Sequence, residues 1–292
     1  MELKNNAQTL IHSDNILELI TDKREFDVPW FADAHLDSKK SKRKFIKRLI
    51  DENPDAFIVY GGDCFDLMQG KKDRRAEKSA LGDEFSESDY WNRVIDYSRD
   101  EWLYPYKDRI IAFIEGNHTT GVLSHNEIDF LGWLTDSGKL ANRMYAAGWI
   151  ILTMKIAKGR NLCFPVYFQH APPSGGKRSK GMLSVDILLG EHPDAKAIIT
   201  EHIHETYITP QTVERLNVRA KTVQYNNVWC LQAPTTKAEH EGKKRGYYHE
   251  RVKKSATSIG ALKLSFKYKR YQEDNKETEL ITLDPKYELL YE

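Results

Sequence analysis

Cysteine is scarce in this 292-residue chain, and the three that occur, Cys64, Cys163 and Cys230, are widely spaced with no C-x-x-C pair among them. An odd count at such spacing argues against both a disulfide framework and a thiolate zinc site, and points to buried thiols in a reducing compartment. Long apolar runs are missing too. Met1 to Leu10 is polar, and no stretch approaches the length of a membrane span or a secretory h-region, so a soluble, cytoplasmic protein with no membrane partner is expected. Neither sign of charge dominates: 44 Lys and Arg nearly cancel 43 Asp and Glu, for a formal net charge of +1. No global field marks the chain as a nucleic-acid or membrane binder, and any attraction for phosphate must be local. Repeats and low-complexity tracts are lacking as well, and the length suits one sizeable core.

What is present is a series of short apolar runs, each ending in polar residues. Phe26 to Ala32 leads into Asp33-Ala34-His35, Ala56 to Tyr60 into Gly61-Gly62-Asp63-Cys64-Phe65-Asp66, and Ile110 to Ile114 into Glu115-Gly116-Asn117-His118. Phe164 to Phe168 delivers Gln169-His170, and Ala197 to Thr200 delivers Glu201-His202-Ile203-His204. Runs this short, rich in Ile, Val, Phe and Tyr, read as buried strands. Between them, Ser38 is placed to cap a helix with Phe45, Ile46, Leu49 and Ile50 inward and a basic, solvated remainder. Asp89 to Leu103, Asn126 to Leu134 and Met182 to Leu189 also read as helices. The alternation predicts an α/β fold whose ligands sit beyond the carboxyl ends of the strands, where all five polar clusters fall. Val228 to Ala233, Ala261 to Lys269 and Glu279 to Leu283 read as further strands of a second sheet. The expected architecture is a layered sandwich of two mixed β-sheets flanked by helices.

Carboxylate, imidazole and amide oxygens suit divalent ions such as Mn²⁺, Fe²⁺ and Zn²⁺. In an extended strand, residues two apart point the same way, so Asp33 with His35, and His202 with His204, would each present two donors. One such pair is weak evidence. Five clusters, each at the end of its own strand, are hard to obtain by chance.

The order Asp33-Ala34-His35, Gly62-Asp63-Cys64-Phe65-Asp66, Gly116-Asn117-His118, His170 and His202-Ile203-His204 resembles the calcineurin-like metallophosphoesterase family, whose pattern runs D-x-H, G-D-x-x-D, G-N-H, a lone H and G-H-x-H. The resemblance implies one metallophosphoesterase domain over 1–292, with a motif-bearing core at about 24–236 and C-terminal strands at about 237–292 completing the second sheet. It also implies two divalent ions, Mn²⁺ in the first place with Fe²⁺, Zn²⁺ or Ni²⁺ as alternatives. Asp33, His35, Asp63 and His204 would hold one, and Asp63, Asn117, His170 and His202 the other. Asp63 would bridge them, because two adjacent cations need a shared anion, and a bridging hydroxide would attack the phosphorus. His118 would protonate the leaving oxygen or stabilise the transition state, with Asp66 orienting it.

Two positions depart from the pattern. Thr119 follows Asn117-His118 where an acidic residue is usual, and Glu201 stands where glycine is usual. Leu67 and Met68 replace the arginine of phosphoprotein phosphatases, and Asp66 stands where purple acid phosphatases place a tyrosine, so neither branch is indicated. Asp37, one alternate position beyond His35, reads either as an acid supporting the metal ligands or, in preference, as a helix-capping residue, and His12, His125, His192, His240 and His249 read as ordinary structural histidines.

Lys177, Arg178 and Lys180, among glycines soon after His170, read equally as an exposed loop or as a clamp for phosphate. Two further basic runs, Lys71 to Arg75 and Lys243 to Tyr248, would join such a surface only if they are more than solvated charge. The expected reaction is hydrolysis of a phosphate ester, foremost a phosphodiester, by a nuclease or nucleotide phosphodiesterase. A small-molecule phosphomonoesterase is the alternative, and a non-catalytic interaction scaffold a distant third.

Overall fold

Alternate residues of a strand face opposite ways, and here both ways are apolar, so the strands need cover on two sides. The computed structural model describes residues 1–4, 6–13, 15–69, 80–85, 89–136, 141–170, 181–240, 257–273 and 276–290. The chain opens with a hairpin of β1 (Gln8–Ser13) and β2 (Ile16–Thr21), then β3 (Glu25–Phe31), α1 (Arg43–Glu52) and β4 (Ile58–Tyr60). Next come α2 (Tyr90–Ser98), prolonged by π and 3-10 turns to Arg109, then β5 (Ile110–Ile114), α3 (Asn117–Asn126), α4 (Phe130–Asp136) and β6 (Asn142–Met144). After these follow β7 (Ala147–Ala157), β8 (Arg160–Gln169), α5 (Met182–Glu191), β9 (Ala197–Thr200), β10 (Tyr207–Asn217) and β11 (Thr222–Gln232). The long hairpin β12 (Gly260–Glu273) and β13 (Lys276–Leu289) completes the order.

One sheet runs β1-β2-β7-β8-β9-β11-β10 and the other β13-β12-β3-β4-β5-β6. Both are mixed. β3 to β6 are parallel with β12 antiparallel beside β3, and β8, β9 and β11 are parallel with β10 antiparallel at the edge. Trp30, Val59 and Ala112 of one sheet meet Ile150, Phe168, Ile199 and Leu231 of the other in a shared core. Ile58, Tyr60 and Phe113 point the other way, under the Ile46 and Ile50 face of α1, Trp102, and Phe130 of α4. Val185 and Leu188 of α5 are likewise buried, and Leu188 packs with Tyr167, Ile198 and Val228 of the first sheet. Each such side chain contributes roughly 1.5–3 kcal/mol on burial.

The fold is the expected α/β sandwich, with several local corrections. The C-terminal strands do not stay together: β11 joins β8 and β9, whereas β12 and β13 extend the sheet of β3 to β5. The helix after Ser38 begins only at Arg43, with Lys42 at its N-cap; Ser38 instead donates to the Ala80 carbonyl and accepts from Lys40 N within a turn. No single helix spans Asn126 to Leu134, because Glu127 adopts a left-handed conformation that ends α3 before α4 begins. The basic face of α1 is more than solvated: Arg43 pairs with Glu84 and Lys47 with Glu101. Cys64 and Cys230 are buried, but Cys163 on β8 is exposed. Among the described residues, no helix is long and apolar enough to cross a membrane.

Candidate metal centre

The loops after β3, β4 and β5 come from one sheet, and those after β8 and β9 from the other, so five polar strand ends meet at one edge of the sandwich. The chain does not stay extended there. Asp33, His35, Asp63, His202 and His204 all have positive φ, between 45° and 77°. The paired donors therefore converge through left-handed turns rather than through the pleat, a conformation that disfavours β-carbons and persists where surrounding contacts hold it. Those contacts are present: Asp33 N donates to Gly62 O at 2.9 Å, His35 N to Asp63 O at 3.1 Å, and Leu36 N to Cys64 O at 2.8 Å. His202 N donates to Asp33 Oδ2 at 3.0 Å, and His118 N, in the first turn of α3, to Asp63 Oδ1 at 2.9 Å. Gly116 has to be glycine, since a Cβ would lie 2.0 Å from Asp63 Oδ1.

Asp33, Asp63, His170 and His202 bring one donor atom each within 4.8 Å of one another, as do Asp33, His35 and His204. Asn117 joins the first group, its Oδ1 lying 3.0 Å from His170 Nε2, which is 3.1 Å from Asp63 Oδ2. All seven expected ligand residues thus assemble, although it is Asp33 rather than Asp63 that both groups share. A cation fits this donor set. His35 Nε2 is buried without a hydrogen-bond partner, and the equally buried Asp33 Oδ1 has only the His204 Nε2 ion-pair contact at 3.3 Å, so both cost free energy unless something binds them. His202 is the exposed member, so the cluster opens on its side.

A third convergence, His35 with Asp66 and His118, already has its positive charge: Lys237 Nζ lies 3.0 and 3.2 Å from the two Asp66 carboxylate oxygens. Asp66 Oδ1 is also 2.6 Å from His35 Nδ1. Asp66 meets His118 mainly through its backbone, whose carbonyl accepts from Nδ1 at 2.6 Å, while its carboxylate is 3.6 Å from that nitrogen.

Several residues at the centre escaped the sequence reading. Thr235 donates to Asp33 O at 2.8 Å, Lys237 holds Asp66, and Glu239 lies 3.5 Å from His204 Nδ1. Their alternation just beyond β11 is the same signal that marked the other strand ends. Asp37 is not a helix cap but a buried carboxylate that accepts from Asp66 N, Leu67 N and the Tyr90 hydroxyl. Glu201 keeps an ordinary backbone, and its carboxylate turns inward. Thr119 supports its loop by accepting from Gly116 N at 3.0 Å, the reach an acidic side chain would have made. Of the structural histidines, His12 pairs with Glu18 and His192 stacks on Tyr167. Lys177, Arg178 and Lys180, with the whole of the other two basic runs, lie outside the described residues.

The electrostatics are those of anions packed among imidazoles. Burial pushes the Asp33 carboxyl up, but His204 and His170 outweigh it and carry its pKa down to about 2. Asp63 is likewise driven up by burial and far down by His170 and His118. Burial opposes a proton on His170, yet Asp63 and Glu201 hold its pKa well above the usual imidazole value. His35 is raised too, burial and Lys237 being overcome by Asp66 and Asp63. Ligation needs deprotonated rings, so metal binding should expel protons and tighten as pH rises through these raised values. Calorimetry in buffers of differing ionisation enthalpy would detect that release; none at neutral pH would contradict the assignment of His170. The same raised values stabilise the metal-free fold below the ordinary imidazole range, a contribution lost as pH climbs through them.

No family model matches the sequence, and no curated protein does. Among solved structures the chain is similar to GAP50, the anchor in the inner membrane complex of Plasmodium, at 12% identity over 88% of this chain and 89% of that one (TM-score 0.43). It is similar to Vps29 of Entamoeba histolytica, solved with zinc, at 11% identity over 88% and 99% (TM-score 0.35). The calcineurin-like phosphoesterase YfkN of Bacillus subtilis is 13% identical over 89% and 90% (TM-score 0.34).

Proposed function

We propose that this chain is a metal-dependent phosphoesterase of the calcineurin-like type that hydrolyses a phosphodiester, in a nucleic acid or a nucleotide. The observation that carries this reading is the buried convergence of Asp33, Asp63, His170 and His202 beside Asp33, His35 and His204. Two divalent ions held there would supply Lewis-acid stabilisation of phosphate charge and a water acidified enough to attack at neutral pH. Asp33, His35, Asp63 and His204 are assigned to one ion, and Asp63, Asn117, His170 and His202 to the other. His118 faces the same centre, its Nε2 lying 3.6 Å from Asp63 Oδ2 with Nδ1 committed to a carbonyl, so Nε2 is the atom able to pass a proton to the leaving oxygen. Lys237 holds Asp66, and Asp66 holds His35 and the His118 ring.

Protein reconstituted with Mn²⁺, Fe²⁺, Zn²⁺ or Ni²⁺ should be profiled against single-stranded DNA, RNA, cyclic nucleotides and chromogenic mono- and diesters. Diester hydrolysis that a chelator abolishes and Mn²⁺ restores is the expected result. Turnover of monoesters alone would move the protein to the small-molecule alternative, and none with any metal would overturn the reading. Replacing Lys177, Arg178 and Lys180 with Ala should weaken oligonucleotide binding and lower its salt dependence by about one unit of slope for each phosphate no longer held, with chromogenic diesters little affected. Unchanged oligonucleotide binding at every salt concentration would make that segment a bystander.

A further inference from the structure

Glu201 occupies the position where the motif pattern has glycine, and it is fully buried. A buried carboxylate is costly unless its oxygens are well paired. Here Oε1 accepts from Trp30 Nε1 at 2.5 Å. Oε2 accepts from Gly62 N at 2.7 Å and lies 3.1 Å from His170 Nδ1. One side chain thereby ties together the loops after β4, β8 and β9. The opposite nitrogen of the same ring, His170 Nε2, lies 3.0 Å from Asn117 Oδ1 and 3.1 Å from Asp63 Oδ2. The ring has no slack on its flank: a Cβ on Gly62 would lie 2.2 Å from its Nδ1.

We propose that Glu201 is a positioning residue for the second metal ion. By accepting the Nδ1 proton it fixes the tautomer that leaves a lone pair on Nε2, and it holds that atom beside Asp63 and Asn117. A carboxylate on the outer nitrogen of a ligating imidazole sets both ring orientation and donor strength. Among the described residues, two other buried imidazoles have a carboxylate near the outer nitrogen, His35 Nδ1 with Asp66 at 2.6 Å and His204 Nδ1 with Glu239 at 3.5 Å, but neither contact has hydrogen-bond geometry. Glu201 is distinct in also holding the Gly62 amide, so the histidine is positioned relative to the loop that carries Asp63. The inference rests on the two-metal reading above.

Two substitutions test it. Glu201→Gly restores the residue of the motif pattern and removes the acceptor. Glu201→Gln keeps the volume, but whichever way the amide lies, one of its N–H groups faces another donor: Trp30 Nε1 in one orientation, Gly62 N and His170 in the other. Titrating the metal-free parent with Mn²⁺ should resolve two binding steps. In both variants the first step should be unchanged and the second weakened about 10–100-fold, the range for loss of such a partner. In the zinc-loaded forms, nitrogen-15 NMR should show a slowly exchanging Nδ1–H on His170 in the parent and lose it in Glu201→Gly. Two parental affinities and an unchanged His170 signal in both variants would overturn the proposal. So would an equal loss of both ions together with a lowered melting temperature, which would make Glu201 a packing residue. A parent that binds fewer than two ions would fail the two-metal reading itself, an outcome separable from the others because it appears before any substitution.

Discussion

Asp63→Asn should lower both metal occupancies together and take hydrolysis down by roughly 10³-fold, the equivalent of the ~4 kcal/mol that breaking a buried charge pairing typically costs. Asp63 lies at the centre of the strand-end cluster, 1% exposed, with one oxygen on the His118 amide and the other 3.1 Å from His170 Nε2. Two divalent ions about 4 Å apart repel by on the order of 16 kcal/mol at an effective dielectric of 20, four times the unit-charge figure, and an anion between them is what makes the pair tolerable. An amide has the same shape and can still offer an oxygen to one ion, but it brings no charge. Asp33→Asn is the necessary companion, because Asp33 is the residue both donor groups share. Elemental analysis showing a single ion lost from Asp63→Asn and two lost from Asp33→Asn would move the bridge to Asp33. Full activity with one ion per chain would remove the bridge altogether.

Much of this centre was legible because its chemistry sits at the ends of short, strongly apolar strands. Asp33, Asp63, Asn117, His170 and His202 each follow a run that can only be a buried strand, and parallel strands bring their carboxyl ends to one edge. Less visible were elements whose burial is one-sided or whose partners lie far along the chain. β1 and β10 carry mostly exposed or half-buried residues, so their apolar periodicity is faint. β7 alternates without a polar terminus of interest. The left-handed backbone at Asp33, His35, His202 and His204 was not readable, since aspartate and histidine adopt it here under tertiary restraint rather than by preference. Glu201 looked like a departure from a motif. Only the approach of Trp30, Gly62 and His170 from three other segments gives its charge a role. Lys237 and Glu239 followed the same strand-end rule as the ligands, but no motif directed attention to them.

His118→Ala should cut turnover by about 10²–10⁴-fold while leaving both ions in place. The ring is a member of neither proposed donor group, although it lies beside both, and converges instead with His35 and Asp66. Its Nδ1 donates to the Asp66 carbonyl, which fixes the ring and leaves Nε2 as the exchangeable position. Burial and the neighbouring His35 hold its pKa below the ordinary imidazole value in spite of Asp63. The protonated form is therefore the minority at neutral pH, and two nearby cations would deplete it further. An acid acts in its protonated form, so hydrolysis of esters with poor leaving groups should decline as pH rises past that depressed value. Esters of nitrophenol, whose leaving oxygen needs little protonation, should show a smaller loss in His118→Ala and a flatter limb in the parent. Equal losses for both kinds of ester, with metal content intact, would make His118 a group that stabilises the phosphoryl oxygens instead of a proton donor. Loss of metal along with activity would place it among the ligands. The leaving-group series separates these roles because only proton donation scales with the basicity of the departing oxygen.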